Sequence, residues 1–352
     1  MTELSEFLKK LMSAPGLSGY EIPARTLIEE AWRPLVDELT VSRLGSLHGL
    51  RCGKGEPPRP SILIATHMDA IGLMVTGIEE GLLRVTGIGG LDPRVLPGQL
   101  VTVHGRQEIP AVIVPPTARL LPGNVTEGAA AIEYLLVDTG LLPEEVQRLV
   151  RIGDLISFAQ PPLDTAGETL SGHSLDNRAS VAALTHCLDL LQSRPHNWDV
   201  WAVATVQEEV GVKGAYTSTF QLRPALAVAV DVTFGSGPGS PSHKTFPLGK
   251  GPTLLWGPDA HPALHAKFKE LADRLEIPYA VEVAPRHSGT DGFATQVTAE
   301  GIPSMVVSIP LRYMHTPVEM VAIKDITRAG RLMAEFIAGL DADFMSRLTW
   351  DD

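Results

Sequence analysis

Short, continuous runs of apolar residues recur along the chain and are separated by stretches with helical periodicity. The clearest apolar runs are residues 61–66, 199–205, 225–230 and 304–309. Helical patterns lie at residues 177–191, 263–275 and 323–340. Apolar runs of this length are typical of strands that are buried on both faces. Strands alternating with helices predict an α/β fold, with a mainly parallel sheet flanked by helices.

The two ends of this pattern differ from its middle. Residues 1–40 predict helix, interrupted at Pro15-Gly16 and Ser18-Gly19. From about residue 71 to residue 163, short strand-like runs alternate with Gly and Pro turns, and helical periodicity is confined to residues 142–150. We therefore predict a small β-barrel domain at residues 71–163, inserted into an α/β domain made of residues 1–70 and 164–352.

Composition narrows the class of protein. The chain has 352 residues, with 44% hydrophobic and 20% charged residues, as in ordinary globular proteins. Its net charge of −12 argues against a nucleic-acid partner, which would need clustered Lys and Arg. The two cysteines, Cys52 and Cys187, have no metal-site or redox spacing and favour a reducing compartment. With neither a signal-peptide pattern nor a membrane-spanning run, we expect a cytoplasmic protein that does not bind membranes.

Polar residues that could bind metal follow each of the four apolar runs. They are His67 and Asp69, Glu208 and Glu209, Asp231, and, after a short loop, His315. Asp176 lies just before the helix that begins at residue 177. Each of these residues alone would be unremarkable, because an Asp at a helix start is usually an N-cap. Together they would meet at the carboxyl edge of the sheet, where ligands bind in open α/β folds.

Crowded carboxylates repel each other unless cations neutralise them, so this convergence predicts a metal site. Two imidazoles and three carboxylates suit a pair of Zn²⁺-like ions. If one carboxylate bridges, five residues serve both ions and leave room for a water or hydroxide that attacks a carbonyl group. Glu208 and Glu209 are adjacent and should point in different directions, so one would ligate while the other acts as a general base. Asp69 would accept the second imidazole N–H of His67.

At these residues the chain closely resembles the M42 family of metallo-aminopeptidases, the TET and glutamyl aminopeptidase group. The resemblance covers nearly the whole chain. It is carried by Gly16-Leu17-Ser18-Gly19-Tyr20-Glu21, His67-Met68-Asp69-Ala70-Ile71-Gly72, Leu175-Asp176-Asn177-Arg178, Glu208-Glu209-Val210-Gly211, Asp231-Val232-Thr233, Gly289-Thr290-Asp291-Gly292 and Met314-His315-Thr316-Pro317-Val318-Glu319.

The resemblance implies a role for each of these residues. Asp176 would bridge two divalent ions, most simply Zn²⁺, with Co²⁺ or Mn²⁺ as alternatives. His67 and Asp231 would hold one ion, and Glu209 and His315 the other. Glu208 would be the catalytic base and Asp69 the partner of His67. The resemblance further implies hydrolysis of N-terminal residues from short peptides, dimerisation through the β-barrel, and assembly of dimers into a tetrahedral dodecamer.

Two residues depart from the family pattern. Ala70 stands where an acidic residue is usual, and Asn177 where the family has Asp. Neither is an expected ligand, so the departures would affect the charge around the metals and hence metal affinity or preference. Because related sites share this feature, we also predict a cis or strained peptide bond after Asp176.

Other residues and functions remain open at this stage. Thr290, Asp291 and Gly292 are candidates for substrate contact, although an Asx-type turn explains them equally well. His173 is a weaker candidate for an additional ligand. Competing functions are a metal-dependent deacylase, a glycoside hydrolase and an inert self-assembling scaffold. A glycosidase would need two facing carboxylic acids and usually no metal, which the five-residue set does not resemble.

Overall fold

A computed structural model describes residues 2–115 and 130–349 of the chain. Within these ranges the helices are α1 (Thr2–Ser13), α2 (Ile22–Trp32), α3 (Pro143–Leu149), α4 (Leu175–Leu191), α5 (Lys213–Leu222), α6 (Pro262–Arg274), α7 (Asp291–Gln296) and α8 (Ile323–Ala338). The first nine strands are β1 (Glu38–Val41), β2 (Leu47–Arg51), β3 (Ser61–His67), β4 (Gly72–Glu79), β5 (Leu82–Ile88), β6 (Leu100–His104), β7 (Glu108–Val114), β8 (Leu136–Asp138) and β9 (Leu155–Phe158). The others are β10 (Leu163–Thr165), β11 (Thr169–Gly172), β12 (Asp199–Thr205), β13 (Leu226–Phe234), β14 (Thr253–Trp256), β15 (Ala280–Val283), β16 (Ser304–Arg312) and β17 (Glu319–Ala322).

The large sheet has a parallel centre, as the apolar runs predict. Its order in the described chain is β1-β2-β12-β3-β13-β16-β17-β11-β10, with β14 and β15 attached beside β16. Strands β12, β3, β13 and β16 run parallel, and antiparallel strands extend the sheet on both sides. The registers pair Thr205 with His67 and Asp231 with Ser308. The carboxyl ends of the central strands therefore lie at one edge.

Both faces of the sheet are covered, which confirms the predicted α/β fold. Ile62 and Ile64 of β3 belong to the main core, in which α4 packs on β3, β13 and α8. Leu63 and Ala65 point to the other face, in a smaller core that α5 covers through Leu222. Alternation along one strand thus supplies apolar side chains to two helical layers. None of the described helices is long and apolar enough to span a membrane.

The second unit is a closed barrel in the described residues, with strand order β4-β5-β8-β7-β6-β9. Its strands lie between residues 72 and 158, inside the stretch predicted as an insertion. The barrel has its own apolar core, which includes Leu73, Val85, Val103 and Ile156. Because this core is separate from that of the sheet, the barrel buries its apolar residues independently.

The prediction of helix through residue 40 is wrong at its end. Helix α2 ends at Trp32, and Glu38–Val41 forms β1, which pairs antiparallel with β2. The β-branched residues Thr40 and Val41 favour an extended backbone, and pairing with β2 satisfies the backbone polar groups of β1 that face β2. At these residues, strand pairing with β2 outweighs the local preference for helix.

Candidate metal centre

Chain segments from five places bring the predicted metal-binding residues to the carboxyl edge of the sheet. His67 is the last residue of β3, and Asp231 lies within β13 beside it. Glu209 follows β12, and Asp176 lies where β11 passes into α4. His315 follows β16 with a left-handed backbone, φ 61°. The parallel register therefore gathers residues that are far apart in sequence.

One group of potential ligands consists of His67, Asp176 and Asp231. The Nε2 atom of His67 lies 3.1 Å from Oδ1 of Asp176 and 3.7 Å from Oδ1 of Asp231. All three side chains are buried. One imidazole nitrogen and two carboxylate oxygens at this spacing form a donor set for a divalent cation.

The second group consists of Asp176, Glu209 and His315. The Nε2 atom of His315 lies 3.4 Å from Oδ2 of Asp176 and 3.4 Å from Oε2 of Glu209. Asp176 thus directs one carboxylate oxygen toward His67 and the other toward His315. Its carboxylate joins the two groups, as expected of a ligand that bridges two cations.

Burial and crowding shift the pKa values of the acids in the cluster. Burial, reinforced by Asp176, raises the pKa of Glu209 well above its usual value. Burial also raises the pKa of Asp231. Although burial would raise it, the pKa of Asp176 is lowered, because hydrogen bonds from His315 and His67 favour its charged form. A divalent cation bound among these carboxylates would favour the charged form of each one.

An observation independent of the pKa values also shows that the donor set fits a divalent cation. Atom Oε1 of Glu209 is buried and has no hydrogen-bond partner among the described residues. An unpaired buried carboxylate oxygen is costly unless a cation or proton satisfies it. The mixture of imidazole and carboxylate donors is that of zinc and its neighbours in the first transition row.

Glu208 borders the same space but lies outside both groups. Its Oε2 atom is 3.8 Å from Nε2 of His67, and burial raises the pKa of Glu208 to about 9. A third combination, His67 with Glu208 and Glu209, also satisfies the spacing for one cation. The two groups that share Asp176 use both histidines and also include the buried Asp231, and they leave the Glu208 carboxylate beside the site.

Asp69 supports the site in a different way from the one predicted. Its Oδ1 atom lies 3.6 Å from Nδ1 of His67, which is longer than a hydrogen bond, and Nδ1 is nearer the Asp69 backbone oxygen, at 3.3 Å. The carboxylate instead accepts the backbone N–H groups of Glu208 and Glu209, at 3.0 and 3.2 Å, and the hydroxyl of Ser18 at 2.7 Å. Asp69 therefore fixes the turn that presents both glutamates.

Glu319 has a comparable supporting position that the sequence analysis did not assign. Its buried carboxylate accepts the backbone N–H of Asp176 at 3.0 Å and that of His315 at 2.9 Å. It thereby holds the backbone of two potential ligands from different segments. The only sequence signal is its place at the end of the motif that begins at Met314.

The peptide bond between Asp176 and Asn177 is cis, as predicted. The Asn177 amide donates to the backbone oxygen of Val230 at 2.9 Å, next to Asp231. A carboxylate at position 177 would have no proton to donate there. The asparagine that departs from the family pattern at position 177 therefore has a hydrogen-bond acceptor that an aspartate could not use.

His173 is buried against Phe158 and joins none of the ligand groups found in the described chain.

A cavity of about 670 Å³ opens above the cluster. Of the three residues predicted to contact substrate, Thr290 lines this cavity, whereas Asp291 and Gly292 lie buried beneath it. Asp291 accepts the hydroxyl of Thr205 at 2.6 Å. A Cβ atom on Gly292 would lie 2.4 Å from Val306, so packing explains this glycine. The geometry favours substrate contact for Thr290 alone among them.

Comparison with known proteins agrees with this fold and site. The family model described as M42 glutamyl aminopeptidase matches residues 46–332. The lysyl aminopeptidase of Pyrococcus furiosus is 34% identical over 334 residues, 93% of this chain and 94% of that protein. A TET aminopeptidase structure from a marine sediment archaeon (Thaumarchaeota) superposes with a TM-score of 0.93, at 29% identity and 99% coverage of both chains.

A second similar structure is the TET1 peptidase of Pyrococcus horikoshii, described as able to form a tetrahedron or a large octahedral shell. It superposes with a TM-score of 0.82, at 30% identity, covering 96% of this chain and all of that one. The matches extend over the sheet, the barrel and the segments that carry the cluster. This chain therefore belongs to the M42 family of metal-dependent aminopeptidases, which are peptide hydrolases.

Proposed function

We propose that this chain removes the N-terminal residue from short peptides with the help of two divalent metal ions. The proposed ligands are His67, Asp176, Glu209, Asp231 and His315. The observation that carries the proposal is the position of Asp176, whose two carboxylate oxygens face two different histidines. Zn²⁺ suits this donor set, and Co²⁺ or Mn²⁺ are the alternatives.

When bound, a pair of divalent ions would acidify a water molecule and polarise the carbonyl group of the scissile bond. Glu208 is the proposed base. Its carboxylate borders the cavity and would accept the proton of the attacking water, then donate it to the leaving amine. Asp69 keeps Glu208 in place through the backbone N–H that it binds.

The cavity wall beside the cluster suits a short peptide that enters with its free amino end first. Thr290, Gly289 and Ser288 form part of this wall, and Phe293 and Tyr216 add aromatic surface. Backbone and hydroxyl groups next to apolar surface are the usual composition of a site that binds a small ligand. Thr290 is the proposed contact to the substrate.

We extend the proposal to the organisation of the protein. Residues 1–70 and 164–352 form the catalytic domain, and residues 71–163 form the inserted domain through which subunits pair. The separate core of the barrel supports this division. The tetrahedron described for the P. horikoshii protein supports assembly of dimers into a particle of twelve subunits. The two free cysteines, of which Cys52 is exposed, support a cytoplasmic location.

Chelation followed by metal addition tests the proposed function. After removal of metal, the protein should lose activity on aminoacyl chromogenic substrates, and Zn²⁺, Co²⁺ or Mn²⁺ should restore it. The same panel should include N-acylated amino acids and aryl glycosides. Activity that survives chelation, or appears only on glycosides, would contradict the proposal. Activity on acyl-amino acids without activity on free-amine substrates would show a deacylase instead.

A further inference from the structure

Strand β15 has an unusual pattern that places a carboxylate in the substrate cavity. Val281 and Val283 are 41% and 70% exposed, whereas Glu282 between them faces inward. The carboxylate of Glu282 lines the cavity that contains the metal-binding cluster. Apolar residues outside and an acid inside reverse the usual arrangement of an edge strand. No role in the metal centre accounts for this acid.

The hydrogen bonds of Glu282 define where its carboxylate lies. Atom Oε1 accepts the hydroxyl of Thr233 at 2.7 Å, and Oε2 accepts that of Thr253 at 2.6 Å. Thr233 follows Asp231 by two residues, and Thr253 pairs with Ser308, which itself pairs with Asp231. With neighbouring strands about 4.8 Å apart, Thr253 lies roughly 10 Å from Asp231. The Glu282 carboxylate is therefore near the cluster, but it belongs to none of the groups of potential ligands found in the described chain.

This separation suits the side chain of the first residue of a peptide whose carbonyl group lies at the cluster. A Lys or Arg side chain has a flexible stem that reaches about 6 Å from its Cα atom and ends in a cation. Val232, Phe234 and Phe293 also line the cavity and could pack along such a stem. The two threonine hydroxyls hold the carboxylate in a fixed position, so little ordering is required on binding.

The charges around the cavity point in the same direction. Among the described residues that line it there is no Lys or Arg, whereas Glu282 adds a fifth acid to those at the cluster. An acidic first residue would thus meet repulsion, and a basic one would find a partner. Burial raises the pKa of Glu282, and the threonine hydroxyls lower it. A bound cation would favour the charged carboxylate further.

We propose that Glu282 selects peptides whose first residue is Lys or Arg by pairing its carboxylate with the cationic side chain. This inference rests on the proposed aminopeptidase function and adds the class of substrate. Family membership does not decide the point, because the matching family model is described by a glutamyl activity and the P. furiosus relative by a lysyl one.

The test compares the metal-loaded wild type with Glu282→Gln on Lys, Arg, Leu and Glu chromogenic substrates. The wild type should cleave the Lys and Arg substrates with the highest kcat/KM. Glutamine keeps the size of the side chain and its threonine partners but removes the charge. The variant should lose at least about 10-fold in kcat/KM on Lys and Arg, mainly through KM, because ground-state binding is lost. Its activity on Leu should stay within about twofold.

Two further variants sharpen the result. Glu282→Lys should reverse the preference toward the Glu substrate. Glu300→Gln, which removes an exposed carboxylate paired with Arg223 at the surface, should behave as the wild type. A wild type that cleaves free-amine substrates without preferring Lys or Arg would overturn the inference and leave the aminopeptidase function intact. So would an unchanged preference in Glu282→Gln. A wild type that cleaves no free-amine substrate would overturn the proposed function itself.

Discussion

Asp69 contacts both members of the adjacent pair Glu208 and Glu209 through one buried carboxylate. The two glutamates do not diverge by the alternation of a strand, because β12 ends at Thr205 and Gln207 has a left-handed backbone, φ 56°. They diverge within a turn whose N–H groups Asp69 accepts. The different roles proposed for these two neighbouring acids therefore depend on a third acid more than a hundred residues earlier in the chain.

Replacing Glu208 with Gln separates proton transfer from metal binding. Glutamine keeps the shape of the side chain but cannot accept the proton of water, so kcat should fall about 10²- to 10⁴-fold. Metal content, measured by elemental analysis after dialysis, should remain that of the wild type. Glu209→Gln is the matched control, since it removes a proposed ligand and should lower the metal content. Loss of metal from Glu208→Gln would contradict the assignment of Glu208 as base.

The sequence could predict which residues meet at the cluster but not everything that holds them. His67, Glu209 and Asp231 were identifiable because each follows or ends a recognisable apolar run. Glu319 and Glu282 could not be found in this way, because neither follows an apolar run: Glu319 begins the short strand β17, and Glu282 lies within β15. Their carboxylates matter through partners that no local pattern reveals.

At the scale of elements, the predictable parts are those with long and strong patterns. The central parallel strands, α4, α6, α8 and the β-rich insertion all follow from periodicity. The unpredicted elements are β1, β2, β10, β11, β14, β17, α5 and α7. All six of these strands have five residues or fewer, most of them lie toward the sides of the sheet, and α7 has six residues. Such elements form because they pair with or pack on neighbouring strands and helices, so the residue pattern of each one predicts little about its structure.

The packing of β2 against α5 makes stability depend on pH through His48. His48 is fully buried, its Nε2 atom lies 2.9 Å from the hydroxyl of Ser218, and its Nδ1 atom has no partner among the described residues. Burial lowers the pKa of His48 from 6.5 to about 4. Between pH 6.5 and about pH 4, His48 therefore binds a proton in the unfolded chain but not in the folded chain. The contribution of His48 to the unfolding free energy is fully present above pH 6.5 and is lost as the pH falls toward 4.

We expect His48 to account for about 2 kcal/mol of the unfolding free energy that the protein loses between pH 7 and pH 5. His48→Gln retains a polar partner for Ser218 and does not titrate, so its loss over this range should be smaller by that amount. Denaturant unfolding at both pH values measures the difference. His243→Gln, at an exposed position, is the matched control for the substitution itself. Equal losses in wild type and His48→Gln would contradict the argument.

At the scale of the whole molecule, the barrel and the sheet domain meet at the metal centre. Gly89 and Gly90 follow β5 of the barrel, and Gly90 lines the catalytic cavity. A Cβ atom on Gly89 would lie 2.6 Å from Ile71 and 3.3 Å from the carboxylate of Glu209. The barrel is therefore part of the wall of the active site as well as the proposed surface for subunit pairing. Its two glycines let its backbone approach the ligands closely.

Gly90→Ala tests this coupling between the two units. The added Cβ atom would lie 2.9 Å from Nδ1 of His315, a contact too close to persist, so the imidazole must move from its position beside Asp176 and Glu209. Affinity for one of the two proposed ions should fall about 10- to 100-fold, as when the support of a ligand is disturbed. The group around His67 should keep its ion. Activity should then return only at a higher Zn²⁺ concentration, which a metal titration of the chelated variant measures.

Gly77→Ala, in β4 of the same barrel, is the matched control, because its added Cβ atom meets only an ordinary 3.5 Å contact. If both variants regained activity at the wild-type Zn²⁺ concentration, the barrel would not constrain the metal centre.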